Sequence, residues 1–134
     1  MKNIWTNGCY DILHIGHIRL FEFAKSLGDK LIVGIDADDR VKELKGKNRP
    51  INSQEFRKEI LQAIKFIDEV LIFYTNDELC NLIKQNNIDT IVVGSDYKDK
   101  NVIGSQFSHE TIFFPKTIDI STSKIYESHN QSTT

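Results

Sequence analysis

Ile4-Trp5-Thr6-Asn7-Gly8-Cys9-Tyr10-Asp11-Ile12-Leu13-His14-Ile15-Gly16-His17 begins as a short apolar run and ends on two histidines. The run stops at Asn7-Gly8, and from His17 onward Ile18, Phe21, Phe23, Ala24 and Leu27 fall at helical intervals before Gly28. The stretch reads as strand, glycine turn, helix. The next run, Lys30-Leu31-Ile32-Val33-Gly34-Ile35, is rich in β-branched residues and closed by Asp36, as expected of a parallel strand buried on both faces.

Residues 37–52 are polar and basic, with Lys42, Lys45, Gly46, Lys47, Arg49 and Pro50. They are predicted to be a loop with a helical turn at its start, of a length that often has a function. Ser53 is predicted to cap an amphipathic helix running through Ile60, Leu61, Ile64 and Phe66. Beyond it the pattern predicts a strand at 69–73, a helix at 77–85, a strand at 90–94, a polar segment at 95–106 and a strand at 111–115. Ser121 or Thr122 is positioned to cap a last short helix. Such alternation builds a parallel sheet with right-handed crossovers and helices on both faces. The expected fold is therefore α/β, a Rossmann-like doubly wound parallel sheet in a single domain over residues 1–128, with 129–134 a disordered tail lacking any apolar anchor.

Composition narrows the function. With 134 residues, 40% of them hydrophobic, the chain suits one compact core. A formal charge of -2 offers no basic stripe for a nucleic acid backbone, so nucleic acid is not the expected partner. Cys9 and Cys80 have no CxxC spacing, and neither a zinc site nor a disulfide framework is expected. No apolar run approaches the ~20 residues of a membrane span, and the start has no signal-peptide core. The expectation is a cytoplasmic protein with reduced thiols and no membrane partner.

Open α/β sheets bind ligands at the carboxyl ends of their strands, where the strand order reverses. Four polar clusters fall at such ends: residues 7–17, residues 36–38 with the basic loop, residues 94–97, and residues 116–123. The first contains neither a dinucleotide G-x-G-x-x-G nor a P-loop. It has His14 and His17 three apart at the mouth of a helix, with Gly16 between them to let backbone amides approach a phosphate, and a helix N-terminus to supply partial positive charge. As a bare His-x-x-His pair these residues read equally well as a helix cap and a surface histidine. Zinc would need further ligands, and Cys9 and Asp11 lack the spacing. The placement just after a strand favours the phosphate reading.

At this point residues 6–17 resemble the signature of the cytidylyltransferase-type nucleotidyltransferases, and Ile120-Ser121-Thr122-Ser123-Lys124-Ile125 resembles their second, C-terminal signature. Within that family Leu44-Lys45-Gly46, Arg49-Pro50-Ile51-Asn52 and Gly94-Ser95-Asp96-Tyr97-Lys98 are most similar to the heptose-1-phosphate adenylyltransferase domain, while the length is closer to glycerol-3-phosphate cytidylyltransferase. The resemblance covers about residues 3–127. It implies that His14, His17 and Lys45 are catalytic: the histidines bind the triphosphate and stabilise charge at the reacting phosphorus, and the lysine neutralises a phosphate. It further implies a nucleotide site formed by Cys9, Tyr10, Asp11, Gly16, Asp38, Arg57, Asp96, Lys116, Ile120, Ser121, Thr122 and Ser123, with no metal held by the protein and Mg²⁺ arriving on the NTP. One departure stands out: where the family often has Arg-Thr-x-Gly-Ile-Ser-Thr-Thr, this chain has Lys116-Thr117-Ile118-Asp119-Ile120-Ser121-Thr122-Ser123, which leaves the choice of base open.

The implied reaction moves a nucleoside monophosphate from an NTP to a phosphorylated small-molecule acceptor and releases pyrophosphate. ATP with a sugar 1-phosphate is favoured, over CTP with glycerol 3-phosphate, adenylylation of FMN, or a nucleotide-binding regulatory module. A homodimer is expected, because relatives in this family commonly pair and because Phe66, Phe73, Phe107, Phe113 and Phe114 are many large apolar groups for so small a chain.

Overall fold

The computed structural model describes residues 1–95 and 100–115. In chain order it contains β1 (Asn3–Gly8), α1 (Ile15–Ser26), β2 (Lys30–Asp36), α2 (Asp38–Lys45), α3 (Gln54–Gln62), β3 (Glu69–Phe73), α4 (Asn76–Gln85), β4 (Ile88–Gly94), a short 3-10 turn (Ser105–Phe107) and β5 (Glu110–Phe114). The strands form one sheet in the order β3-β2-β1-β4-β5, with every neighbouring pair parallel. This is the Rossmann-like α/β sheet that the sequence predicts.

Side-chain alternation along the strands sorts the core into two layers. Ile4, Leu31, Val33, Ile35, Val70 and Val92 meet Phe21 and Ala24 of α1 and Leu61 of α3 on one face. Trp5, Ile32, Phe73 and Ile91 meet Leu79 and Ile83 of α4 on the other. Because β2 lies inside the sheet, between β3 and β1, and helices cover both of its faces, its apolar run is nearly continuous. Its exception, Gly34, is set by Trp5 on β1: a Cβ at Gly34 would sit 2.4 Å from Trp5 Cζ2.

Two elements depart from the sequence reading. The expected loop with one helical turn at residues 37–52 contains instead the two-turn helix α2, which buries only Val41. Asp38 and Asp39 in its first turn and Lys42 and Lys45 in its last complement the helix dipole. Helix α3 starts at the predicted cap, with Ser53 accepting from the Phe56 N–H at 3.2 Å, but ends at Gln62. Ile64 and Phe66 then follow in a turn and pack onto the first core layer. The predicted helix at residues 121–122 and the predicted tail at 129–134 lie outside the described residues.

The sheet order places the site. From β1 the chain steps to β2 and β3 on one side, then crosses to β4 and β5 on the other, so the order reverses between β1 and β4. In open α/β sheets such a reversal point, at the carboxyl ends of the strands, is where ligands bind. The loop after β1 carries residues 9–14 and delivers the chain to α1.

Candidate active site

Tyr10 sets the path of the loop after β1. Its backbone is left-handed, at φ 51°, and the ring folds back over Gly8, where a Cβ would lie 3.1 Å from the ring. The ring then packs edge-on against His17, with centroids 5.4 Å apart, and against Phe21 at 5.2 Å, while its hydroxyl lies 3.4 Å from Thr6 Oγ1. Tyr10 therefore links the strand end to the first helical turn, and the His17 ring is held by packing from one side.

The two histidines close the N-terminus of α1 as a reciprocal cap. The N–H of Gly16 donates to His14 Nδ1 at 3.0 Å, and the N–H of His14 donates to His17 Nδ1 at 3.1 Å. The rings stack with centroids 3.9 Å apart. With both Nδ1 atoms accepting, the neutral rings carry their protons on Nε2, as donors. Gly16 is required by this packing, since a Cβ there would lie 2.8 Å from the His14 ring. Burial first, then the neighbouring His14 and Lys45, lowers the His17 pKa from 6.5 to about 4. His17 is thus neutral at physiological pH. The cap reading of the pair holds: both rings cap the start of α1 through Nδ1, which leaves Nε2 of each as the remaining donor.

Behind the histidines lies a buried ionic cluster. The Asp11 carboxylate accepts from Arg49 Nε at 3.1 Å and from the N–H groups of Ile51 at 2.7 Å and Asn52 at 2.8 Å, while Asn52 Nδ2 donates to the Asp11 carbonyl at 2.8 Å. Arg57 is fully buried, and its guanidinium donates to four acceptors: the carbonyls of Asn52, Cys9 and Asp36, and the Asp38 carboxylate at 2.8 Å. Asp36 pairs with Arg40 at 2.6 Å. A buried charge persists only when paired and hydrogen-bonded, and each of these is. Asp11, Asp38 and Arg57, expected from the sequence among the nucleotide contacts, thus turn their charged groups to the chain itself.

Lys45 is exposed at the end of α2, and its charge adds to the lowering at His17 and opposes the rise at Cys9. Burial nonetheless raises the Cys9 thiol above its ordinary value, so it stays protonated and is no nucleophile at neutral pH. The structure therefore brings His14, His17, Gly16, Cys9 and Tyr10 together at the loop after β1 and the start of α1, with Lys45 near enough to act on His17 and Cys9 electrostatically. Asp96, Lys116, Ile120, Ser121, Thr122 and Ser123 lie outside the described residues. Arg49 and Asn52 are the residues whose place at the site sequence reasoning missed. In the sequence Arg49 reads as one of the basic residues of the polar loop, and its pairing with Asp11 becomes visible only in the fold.

Residues 5–128 match the family model described as cytidylyltransferase-like. The chain is 50% identical over 107 residues to the bifunctional protein HldE of Campylobacter fetus subsp. fetus, which is 80% of this chain and 23% of that protein. It is 43% identical over 131 residues to the bifunctional protein HldE of Helicobacter hepaticus, 98% of this chain and 27% of the relative. The chain thus spans about a quarter of the length of these curated relatives. Among solved structures it resembles a lipopolysaccharide core biosynthesis protein from Thermoplasma volcanium, with a TM-score of 0.64 and 23% identity, over 98% of this chain and 88% of the other, a likeness of fold. No helix among the described residues is long and apolar enough to cross a membrane.

Proposed function

This chain belongs to the cytidylyltransferase-like family and is a nucleotidyltransferase, and we propose that it transfers the adenylyl group of ATP to a sugar 1-phosphate such as a heptose 1-phosphate, releasing pyrophosphate. The observation that carries the reading is the histidine pair. Two stacked imidazole rings, His17 neutral at physiological pH, are oriented by backbone amides at a helix N-terminus and sit at the reversal point of the sheet. Preorganised donors of this kind stabilise charge that develops in the transition state without reorganising.

In the proposed reaction an oxygen of the acceptor phosphate attacks the α-phosphorus of ATP in line. The new P–O bond forms as the bond from the α-phosphorus to its bridging oxygen breaks, and pyrophosphate leaves with that electron pair. Charge accumulates on the equatorial oxygens, where His14, His17, the α1 N-terminus and Lys45 supply donors and positive potential. The acceptor phosphate is already ionised near neutral pH, so no general base is assigned.

Mg²⁺ enters as part of the substrate, bound to the triphosphate. Phosphate oxygens are its natural ligands, and the carboxylates of Asp11, Asp36 and Asp38 are paired with arginines.

The heptose assignment rests on the 44–46, 49–52 and 94–98 motifs and on the relatives named HldE. The working species is taken as a cytoplasmic homodimer. α3 supports the pairing by exposing Phe56 and Ile60 one turn apart, 63% and 46% accessible. The function is tested by pyrophosphate release from ATP, CTP, GTP and UTP, each against heptose 1-phosphate, glycerol 3-phosphate, phosphocholine and FMN. ATP with heptose 1-phosphate is expected to lead. Fastest release from CTP with glycerol 3-phosphate would overturn the substrate assignment and leave the family intact.

A further inference from the structure

Helix α2 carries Lys45 but buries a single apolar side chain, Val41, so apolar packing alone does little to fix where it lies. Its two ends are held by hydrogen bonds instead. At the start, Arg57 bonds the Asp36 carbonyl and the Asp38 carboxylate, and Gln54 Oε1 accepts from the Asp38 N–H at 2.9 Å. Beyond its end, Asp11 accepts the amides of Ile51 and Asn52 and the Nε of Arg49, and Arg57 takes the Asn52 carbonyl. The anchor for both sets is the loop after β1: Asp11 is part of it, and Arg57 also bonds the Cys9 carbonyl at 2.9 Å. The side chains of Asp11 and Arg57 are both 0% exposed, so neither charge is presented to solvent.

We propose that Asp11 and Arg57 are positioning residues: with Asn52 they clamp α2 and the segment after it onto the loop that leads to His14 and His17, and so hold Lys45 at the reacting phosphates. The inference rests on the reading of Lys45 as a phosphate-neutralising group. It assigns to Asp11 and Arg57 an action through Lys45 rather than on the nucleotide.

Two measurements test it on the full chain, in the Asp11→Asn and Asn52→Ala variants. Asparagine offers one carbonyl oxygen where the carboxylate has two and places an amide against donors, while Asn52→Ala removes only the bond to the Asp11 carbonyl. The first measurement is trypsin cleavage after Lys45 and Lys47 without nucleotide, which should be about fivefold faster or more in Asp11→Asn, with circular dichroism unchanged. The second is a double-mutant cycle on kcat/KM. Lys45→Ala should cost about tenfold or more in the parent and less than about threefold in the Asp11→Asn background, because the lysine is no longer held in place there. If Asp11→Asn does not fold, the same two readouts on Asn52→Ala decide the matter, with smaller changes of the same sign.

Unchanged cleavage, or penalties that multiply in full, would overturn the clamp. Should Lys45→Ala prove silent in the parent, the phosphate reading of Lys45 fails, and faster or unchanged cleavage still decides whether the clamp exists.

Discussion

Protonating His17 would put a second hydrogen between its Nδ1 and the His14 N–H 3.1 Å away, so the cap and the neutral ring require each other. The folded pKa of about 4 lies below the ordinary 6.5, so as pH falls the unfolded chain takes up this proton first. The contribution to stability is whole above about 6.5 and is lost as pH drops from there through about 4. Long-range proton–nitrogen NMR of the imidazoles should show His17 as the Nε2–H tautomer at pH 7, titrating near 4; a midpoint near 6.5 would remove the neutral donor from the account. Gly16→Ala separates the two tasks of the pair. Alanine normally gains about 1 kcal/mol over glycine in a helix, while eviction of the His14 ring by the new Cβ loses a cap of about the same size. The melting temperature should therefore barely move, while turnover falls about a hundredfold as one oriented donor is lost. Parallel melting curves and pyrophosphate-release rates check it, and a variant near parental rate would show that His14 need not stay in its capping position.

At the scale of elements, what the sequence made legible depended on whether an element is fixed by its own apolar pattern. β2 and β4 are buried runs and appeared as such, and Ser53 marked the start of α3 because a cap is a local device. α2 was hidden because Asp38-Asp39-Arg40-Val41-Lys42-Glu43-Leu44-Lys45 offers one buried residue and no periodic stripe. The end of α3 was overrun because Ile64 and Phe66 keep helical spacing while packing from a turn. At the site, the His-x-Gly-His spacing was visible, but the Asp11–Arg49 pair joins residues 38 apart that no local rule connects. The Trp5–Gly34 contact is likewise set between strands. Alanine in place of Gly34 would ordinarily favour a strand by about 0.5–1 kcal/mol, yet its Cβ would meet the buried indole at 2.4 Å. Overpacking dominates, at roughly 2 kcal/mol net, so the melting temperature should fall by roughly 6–10 °C in thermal denaturation. An unchanged melting temperature would contradict this account of the β1–β2 interface.

For the whole molecule, the phenylalanines behind the expected dimer are distributed differently from the sequence reading. Phe73 is fully buried in the core, Phe66 packs on the first layer, and Phe114 packs on Phe23 with centroids 5.0 Å apart, while Phe107 is 41% exposed. The surface that argues for pairing is instead the α3 face with Phe56 and Ile60. Sedimentation equilibrium at micromolar concentration should give about 31 kDa, twice the chain's 15.5 kDa. The monomer mass persisting to about 100 μM would leave the α3 face without a second copy.

The central claim, nucleotidyl transfer at the histidine pair, is tested most directly by following the phosphates of ATP separately, with label in either the α or the γ position and heptose 1-phosphate as acceptor. The account predicts that the α label appears in the sugar product and the γ label in pyrophosphate, with both transfers falling about a hundredfold in a folded His17→Ala variant. Appearance of the γ label on the sugar, or transfer of the α label at an undiminished rate without His17, would contradict it.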